Sequence, residues 1–319
     1  MLRDHAERRL KLRELRILLA VVKAGSMAKG AAALGISQPN VSKAISDLEH
    51  ALGVNLLDRS ARGIEATTYG LAVIKRAVAA FDELRHAVED VAFLADPTAG
   101  ELRIGLVDWA AAPVGLAIDR ISRRHPRIAF DVISADSTVL QRELKGRNIE
   151  LFVAGRLDSL SKEDFETEIL YNDSIIIVAD SQHPLARRRR SIELSELTNE
   201  TWVLPPKDTV AASDIRDAFC KKKLAFTNTI INTYSFVLQQ HLLATGRYIG
   251  VLPNSMLQSM AEKSSLKVLP VGLPMTGRQV GIVVLKKRML SPIARLFIET
   301  LCSVVRKPTK AKMRNALSL

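Results

Sequence analysis

The chain has 319 residues, of which 47% are hydrophobic, and this is enough apolar material for roughly two or three packed lobes. Its net charge of +12 favours a polyanionic partner, and no apolar run approaches the ~20 residues of a membrane-spanning helix. The two cysteines lie far apart without metal-ligand spacing, and the charged amino terminus does not resemble a signal peptide. We therefore expect a cytoplasmic protein with no membrane segment, metal or cofactor.

Two short helices are predicted first. The apolar residues of the first follow one helical face and are Leu12, Leu15, Leu19 and Val22. Gly25 ends this helix. The second helix contains small residues, among them Ala28, Ala31 and Ala32, which allow two helices to cross closely. Gly35 then permits a tight turn, so the pattern predicts a helix-turn-helix from about Met27 to Asp47.

The helix after this turn has one apolar and one polar face. The apolar positions are Val41, Ile45, Leu48 and Leu52. Ser37 is expected to cap the helix, and Pro39 suits its first turn. The polar residues suit a helix in the major groove of DNA, where amides and hydroxyls read base edges. The predicted DNA contacts on this helix are Gln38, Pro39, Asn40, Ser42 and Lys43.

A hairpin and a long helix are expected next. Turn residues and a short extended segment follow Asp58, and Arg59 and Arg62 are predicted to contact DNA from this wing. An apolar residue then recurs in alternating steps of four and three from Gly70 to Ala95, on a helix that Thr68 is expected to cap. The residues predicted to form a dimer seam are Ile74, Phe81, Leu84, Val88 and Val91. Packing of this helix on its own domain is the alternative.

From residue 98 onward, strands alternate with helices, which predicts βαβ units and a parallel sheet. Strands are predicted at 102–107, 128–133, 150–155, 174–179, 201–204, 230–233, 248–253 and 279–285. Helices are predicted at 110–125, 138–145, 193–197, 213–222, 236–244 and 292–305. The basic tail at 306–319 is short of apolar residues and is predicted to be disordered.

Several segments resemble the LysR-type transcriptional regulators. They are Gly25-Ser26-Met27-Ala28, Leu34-Gly35-Ile36-Ser37-Gln38-Pro39-Asn40-Val41-Ser42, Leu48-Glu49, Leu52-Gly53-Val54-Asn55-Leu56-Leu57-Asp58-Arg59 and Thr68-Tyr69-Gly70. Leu57 stands where phenylalanine is usual in the family, and Lys43 where arginine is common. Lys43 lacks the bidentate fork that arginine offers guanine. Ser26 joins the predicted DNA contacts.

The resemblance implies an α/β protein with a winged helix-turn-helix at 1–67 and a linker, or dimerisation, helix at 68–97. A two-lobed effector domain similar to periplasmic solute-binding proteins is expected at 98–305. Its first lobe would comprise about 98–171 and 270–305, and its second about 172–269. The expected partners are double-stranded DNA, a small-molecule effector, a second copy or a homotetramer, and RNA polymerase.

Ligands of such domains bind beyond the carboxyl ends of the strands. The residues predicted to bind the effector are Asp108, Trp109, Asp136, Ser137, Thr138, Arg156, Thr233 and Ser235. Ser137 and Thr138 open a helix whose N–H groups favour an anion, and Arg156 suits a carboxylate. In relatives that sense aromatic acids an arginine occupies the corresponding place. Asp108 and Asp136 instead suit the hydroxyls of a sugar acid, and Arg156 paired with one of them is the alternative.

No catalytic motif, phosphate-binding loop or zinc spacing occurs in the sequence. We therefore predict a sequence-specific, effector-controlled transcriptional regulator and not an enzyme. An architectural DNA-binding protein would lack a cleft in the downstream half. An enzyme fused to a DNA-binding domain would place a reactive cluster there.

Overall fold

The computed structural model describes residues 10–60, 63–155, 157–188, 190–207, 209–226, 229–260, 264–272 and 278–306. The chain divides into two compact units, with the boundary between Ala95 and Asp96. The charged amino terminus, Arg62 of the predicted wing, Arg156 and most of the basic tail lie outside the described residues.

The first unit contains the helix-turn-helix, the hairpin and the long helix that the sequence predicts. Its elements are α1 (Leu12–Ala24), α2 (Met27–Leu34), α3 (Gln38–Leu52), β1 (Leu57–Ser60), β2 (Gly63–Ala66) and α4 (Thr68–Ala95). The strands β1 and β2 pair antiparallel, which confirms the predicted wing. A single core cluster holds these elements together, and its fully buried side chains are Leu18, Val21, Val41, Ile45, Leu48 and Leu56.

Two predicted helix caps differ in the structure. Ser37 stands at the N-cap position of α3, but its side chain makes no capping hydrogen bond. The helix α4 begins at Thr68, and its first turn is capped by the preceding Thr67, whose Oγ1 accepts the Gly70 N–H at 3.0 Å. Thr67 also donates its hydroxyl proton to the carbonyl of Asn55 at 2.8 Å. The cap therefore ties α4 to the loop before the wing.

The second unit contains two mixed sheets. In the described chain, the first sheet has the strand order β4-β3-β5-β12-β6. Its strands are β3 (Ala99–Leu106), β4 (Arg127–Ser134), β5 (Leu151–Gly155), β6 (Phe165–Asp173) and β12 (Arg278–Leu285). The helices in the corresponding stretches of chain are α5 (Ala111–Arg124), α6 (Ser137–Lys145) and α10 (Pro292–Arg306).

The second sheet of the described chain has the order β11-β7-β10-β8-β9. Its strands are β7 (Ile175–Asp180), β8 (Trp202–Leu204), β9 (Ile230–Asn232), β10 (Ile249–Pro253) and β11 (Leu266–Val268). The helices among them are α7 (Val210–Lys221), α8 (Phe236–Ala244) and α9 (Asn254–Met260). Trp202 is fully buried in the core of this sheet and lies edge-on against Phe219 and Phe226.

The prediction of a parallel sheet is correct for part of each sheet and wrong for the rest. The pairs of β3 with β4 and β5, and of β8 with β9 and β10, are parallel. By contrast, β12 runs antiparallel to β5 and β6, and β7 runs antiparallel to β10 and β11. The chain leaves the first sheet through β6 and returns to it through β12, and these two strands run in opposite directions. The rule for βαβ units applies to parallel strands that are joined by a helix within one sheet. It does not apply to β6 and β12, because the chain between them passes through the other sheet.

Of the strands and α-helices in the described residues, three were not predicted, namely β6, α9 and β11. The strand β6 lies at an edge of its sheet, and most of its side chains are exposed or half-buried, so it has no clear alternation of polar and apolar residues. The other two are short, and no residue of α9 is fully buried. Their conformation depends on tertiary contacts more than on their own sequence.

Candidate DNA-reading and effector sites

The helix α3 presents the face that the sequence predicts. Val41, Ile45 and Leu48 are 0% exposed, whereas the predicted DNA contacts lie on the open side of the helix. Of these contacts, Gln38, Pro39, Asn40 and Lys43 are exposed and Ser42 is half-buried. Pro39 lies in the first turn, where its lack of an N–H is harmless. The side-chain amides of Gln38 and Asn40 at the amino-terminal end of α3 are therefore exposed to solvent.

A close crossing joins α1 and α2. Gly30 of α2 packs against Val21 of α1, and a Cβ at position 30 would lie 3.0 Å from the Val21 Cα. The small residues of α2 are expected to allow a close crossing with the next helix, α3, and the dependence of the contact between α1 and α2 on Gly30 was not predicted. Gly35 adopts a φ of +64°, as the turn into α3 requires. Ser26, also predicted to contact DNA, is half-buried at the start of α2.

Glu49 attaches the wing to α3. Its Oε1 accepts the N–H of Leu56 at 2.7 Å and the N–H of Leu57 at 3.2 Å. The second strand of the wing is held by Ile64, whose N–H donates to the carbonyl of Gly25 at 3.1 Å. Glu49 appeared in the sequence only as part of the family pattern, and nothing there marked it as the residue that holds the wing. Of the predicted wing contacts, Arg59 belongs to β1 and pairs with Ile64 in the ladder.

The predicted seam on α4 divides into two parts. Ile74 packs on the core of the first unit, and Phe81 is half-buried beneath the guanidinium of Arg16, which lies 5.2 Å from the ring centre. Further along the helix, Leu84 is 45%, Val88 69% and Val91 68% exposed. The first part of the seam therefore stabilises its own domain, as the alternative prediction stated. The second part is an exposed apolar stripe.

The carboxyl ends of β3 and β4 lie side by side in the second unit. Asp108, just beyond β3, accepts a hydrogen bond from the hydroxyl of Ser134 at the end of β4. The neighbouring Trp109 packs against the end of β5, because a Cβ at Gly155 would lie 2.8 Å from its Cη2. Glycine at 155 thus leaves the space that the indole ring fills.

The amino terminus of α6 already has an anionic partner. Asp136 is the N-cap residue, and its Oδ1 accepts the N–H of Thr138 at 2.8 Å and the N–H of Val139 at 3.1 Å. These are the first-turn donors that an anionic ligand would need. The expectation of free N–H groups at the start of this helix is therefore wrong for Thr138, and the N–H of Val139 is bonded as well.

A cavity of about 410 Å³ opens beyond the carboxyl ends of β3 and β9. It is lined by residues that follow strands of both sheets. These residues are Asp108, Trp109, Ala111, Ala112, Ser235, Phe236, Val237, Met256, Ser259 and Met260. Three of the predicted effector residues, Asp108, Trp109 and Ser235, are thus brought together. Asp136, Ser137, Thr138 and Thr233 do not belong to this lining. The contribution of α9 could not be anticipated, because the helix itself was not predicted.

The second-sheet wall of the cavity is fixed by local hydrogen bonds. Ser235 caps α8, and its Oγ accepts the N–H of Leu238 at 3.2 Å. The hydroxyl oxygen of Thr233 accepts the N–H of Ser235 at 2.9 Å, so Thr233 orients the cap. Ser259 donates its hydroxyl proton to the carbonyl of Met256 at 2.8 Å.

The side chains with displaced pKa values lie outside the cavity. Burial raises the pKa of Tyr171 to about 12. Burial and the nearby Glu168 carboxylate raise the pKa of the Cys302 thiol to about 11, which keeps this thiol protonated at neutral pH. Burial lowers the pKa of His183, although Glu200 and Asp180 act against it.

Among the described residues, no helix is long and apolar enough to cross a membrane.

Two family profiles match the chain. The LysR substrate binding domain matches residues 95–305, and the profile described as bacterial regulatory helix-turn-helix protein, lysR family, matches residues 12–71. Among curated proteins, the HTH-type transcriptional regulator GbpR of Azospirillum brasilense is 29% identical over 313 residues, which cover 98% of this chain and 90% of that protein.

Solved structures with the same fold include ArgP from Mycobacterium tuberculosis, with a TM-score of 0.69 at 18% identity over 92% of this chain and 96% of that one. Full-length CbnR in complex with its target DNA gives a TM-score of 0.61 at 17% identity, over 92% of this chain and 100% of CbnR. At these identities the likeness establishes a shared fold.

Proposed function

The chain belongs to the LysR family of transcriptional regulators, and on that premise we propose which residues read DNA, pair two copies and bind the effector. Its helix-turn-helix binds DNA, and residues 95–305 form the effector-binding domain. Beyond these two domain assignments, we propose which individual side chains act and what each of them does. We also propose a cytoplasmic regulator that performs no chemical reaction and acts on RNA polymerase.

Base reading is proposed for Gln38, Asn40 and Lys43 at the start of α3, with Pro39, Ser42 and Ser26 beside them. The supporting observation is the contrast between this exposed face and the fully buried face of Val41 and Ile45 on the same helix. Asn and Gln amides form bidentate hydrogen bonds with adenine, and Lys donates to guanine or phosphate. The site is therefore built to distinguish bases as well as to bind the backbone.

The test compares Asn40→Ala with His50→Ala, a control on the exposed carboxyl-terminal turn of α3. A genome-wide map of bound sites supplies the operator, and fluorescence anisotropy measures affinity for operator and random DNA. Asn40→Ala should weaken operator binding by ~1–3 kcal/mol and leave random DNA nearly unchanged. Equal losses on both DNAs would refute base reading by Asn40.

The wing arginines Arg59 and Arg62 are proposed to bind phosphates or the minor groove. Arg62→Ala should weaken all sequences alike and reduce the salt dependence of binding, with a slope of log K against log salt lower by about 0.9 per lost phosphate contact. The anisotropy titration repeated over a salt series measures this slope. An unchanged slope would remove Arg62 from the phosphate contacts.

Self-association is proposed through Leu84, Val88 and Val91, the exposed part of the seam. Apolar residues at alternating steps of three and four suit a helix–helix interface between two copies. Pairing places two reading helices on one operator, which fits half-sites about one helical turn apart, or a multiple of that distance. Ile74 and Phe81 were predicted to belong to this seam, and we propose that they support it indirectly by fixing α4 on its own domain.

The effector is proposed to bind in the cavity that Asp108, Trp109 and Ser235 line. Its position beyond the carboxyl ends of β3 and β9 matches the general location of ligands in α/β sheets. The prediction of an anionic effector now depends on Arg156, outside the described residues. Calorimetric titration of a screened ligand against wild type and Arg156→Ala tests it. Unimpaired binding to the alanine variant would show that no anion is bound by Arg156.

A further inference from the structure

The lining of the effector cavity points to a ligand class, and this inference rests on the effector site proposed above. We propose that the effector is a monosaccharide-sized hydroxylated ring, with one apolar face against Trp109 and a hydroxyl that donates to Asp108. The cavity volume of about 410 Å³ suits a small ligand, since small-molecule sites span roughly 300–1,000 Å³.

Asp108 supplies an acceptor that has spare capacity. Among the described residues, its carboxylate accepts one hydrogen bond, from Ser134, and a carboxylate offers about four acceptor positions. Within the described part of the chain, no Lys or Arg side chain forms an ion pair with it. Hydroxyl groups of a ligand are thus suitable partners, and a hydrogen bond to an ionised acceptor is stronger than one between neutral groups.

Trp109 supplies a rigid apolar surface. The ring is half-buried, and its outer edge rests on the backbone of Gly155, where no side chain can intervene. A fixed indole face binds the C–H groups of a sugar ring by dispersion and weak C–H contacts. Phe236, Val237 and Met256 extend this apolar surface on the other wall of the cavity.

Ser235 supplies a donor from the second sheet, whereas Asp108 belongs to the first sheet. Because its oxygen accepts the Leu238 N–H, its own proton remains available for a ligand oxygen. The cavity therefore offers an acceptor on one wall and a donor on the other. A hydroxylated ring matches both, since every hydroxyl both donates and accepts.

Anionic ligands and amines fit this lining less well than a neutral polyol does. An anion would lie close to the negative Asp108, and two first-turn amides of α6, those of Thr138 and Val139, already donate to Asp136. An amine would pair with Asp108 but would leave the proton of Ser235 without an acceptor. A neutral polyol uses both groups, and a sugar acid would need an additional cation such as Arg156.

The full-length protein reports binding through its own fluorescence. The chain has two tryptophans, and Trp202 is fully buried in the core, so a ligand-dependent change in emission reports Trp109. The panel consists of neutral hexoses and pentoses, the corresponding sugar acids, aromatic acids and small amines. Calorimetry measures the affinity of each compound that changes the emission.

We expect a neutral monosaccharide to bind, and Asp108→Asn and Trp109→Ala each to weaken it at least tenfold. Trp109→Phe should retain most of the affinity because the apolar face is kept. The matched control is Asp131→Asn, an exposed carboxylate on β4 outside the cavity lining, and it should not change binding. A sugar acid that binds more tightly than its neutral parent would show that a cation adds to the same polyol site.

Three results would overturn the ligand class. One is an aromatic acid that binds more tightly to Asp108→Asn than to wild type, and another is an amine that binds while every sugar fails. The third is the absence of binding by any neutral monosaccharide at millimolar concentration. The cavity itself is tested separately with Val237→Trp, since Val237 is 62% exposed and tolerates a larger side chain. A ligand whose affinity survives this filling binds elsewhere, which would refute the effector site and not only its chemistry.

Discussion

Removal of the Glu49 carboxylate should loosen the wing and leave α3 intact. Glu49 is the acceptor for two backbone donors, the N–H groups of Leu56 at 2.7 Å and Leu57 at 3.2 Å. Both leucine side chains are buried, so this segment has little freedom to turn its amides toward water. In Glu49→Ala, both donors lose their partner at the start of β1.

The expected loss follows from these two bonds. A hydrogen bond to a charged group contributes about 1.5–3 kcal/mol, but the two bonds share one oxygen and are only partly buried, so they do not add fully. We expect a local loss of about 2–3 kcal/mol, which corresponds to roughly 30- to 150-fold faster exchange of the two amides. The bond from Thr67 N–H to the Leu56 carbonyl, at 2.9 Å, remains and limits the loss to the hairpin.

Hydrogen exchange at Leu56 and Leu57 measures this effect, and Asp47→Ala is the matched control. Asp47 is an exposed acid on the same helix, so both variants remove one negative charge from the proposed DNA-reading unit. If only the charge mattered, both variants would bind the operator more tightly than the wild type does. We expect Asp47→Ala to bind as well as wild type or better, and Glu49→Ala to bind more weakly. Unchanged exchange together with equal affinities of the two variants would refute the proposed role of Glu49.

Three further predictions concern the seam, a close backbone contact and a buried histidine. Leu84→Glu should prevent self-association, because burying an unpaired charge costs several kcal/mol. Ala72→Glu, on the opposite side of α4, should leave self-association unchanged. Sedimentation velocity measures the oligomeric state of both variants. Gly70→Ala should destabilise the first unit by ~1–3 kcal/mol in thermal unfolding, because its Cβ would lie 2.1 Å from the Leu56 oxygen, while Gly115→Ala has free space and should not destabilise. The lowered pKa of His183 means that the unfolded chain binds its proton more readily, so stability should fall as pH drops below the ordinary histidine value, by at most ~1.4 kcal/mol per pH unit. His183→Asn keeps an acceptor for the Leu185 N–H without a titrating ring, and an equally steep fall in this variant would contradict the assignment.

The sequence by itself determined the helices and the hairpin of the first unit, and the polar face of α3. Its information is local, because the 3.6-residue periodicity of Val41, Ile45 and Leu48 places the polar residues on the opposite face whatever surrounds the helix. Gly25 and Gly35 mark helix ends for an equally local reason, since both adopt a positive φ that glycine tolerates. The same holds for most strands and helices of the second unit, whose apolar runs are short and bounded by turn residues.

Only the tertiary structure decided which distant groups meet. The directions of β7 and β12 follow from how the chain passes between two sheets, and no window of sequence contains this information. The cavity joins Trp109 to α9 across about 150 residues, and the fit of its ring depends on the glycine at 155. Asp136 appeared in the sequence as a free ligand group, but its carboxylate folds back onto the amides of α6 because an N-cap acid satisfies them locally. Hydrogen-bond partners such as this one depend on side-chain geometry, which a residue pattern does not specify.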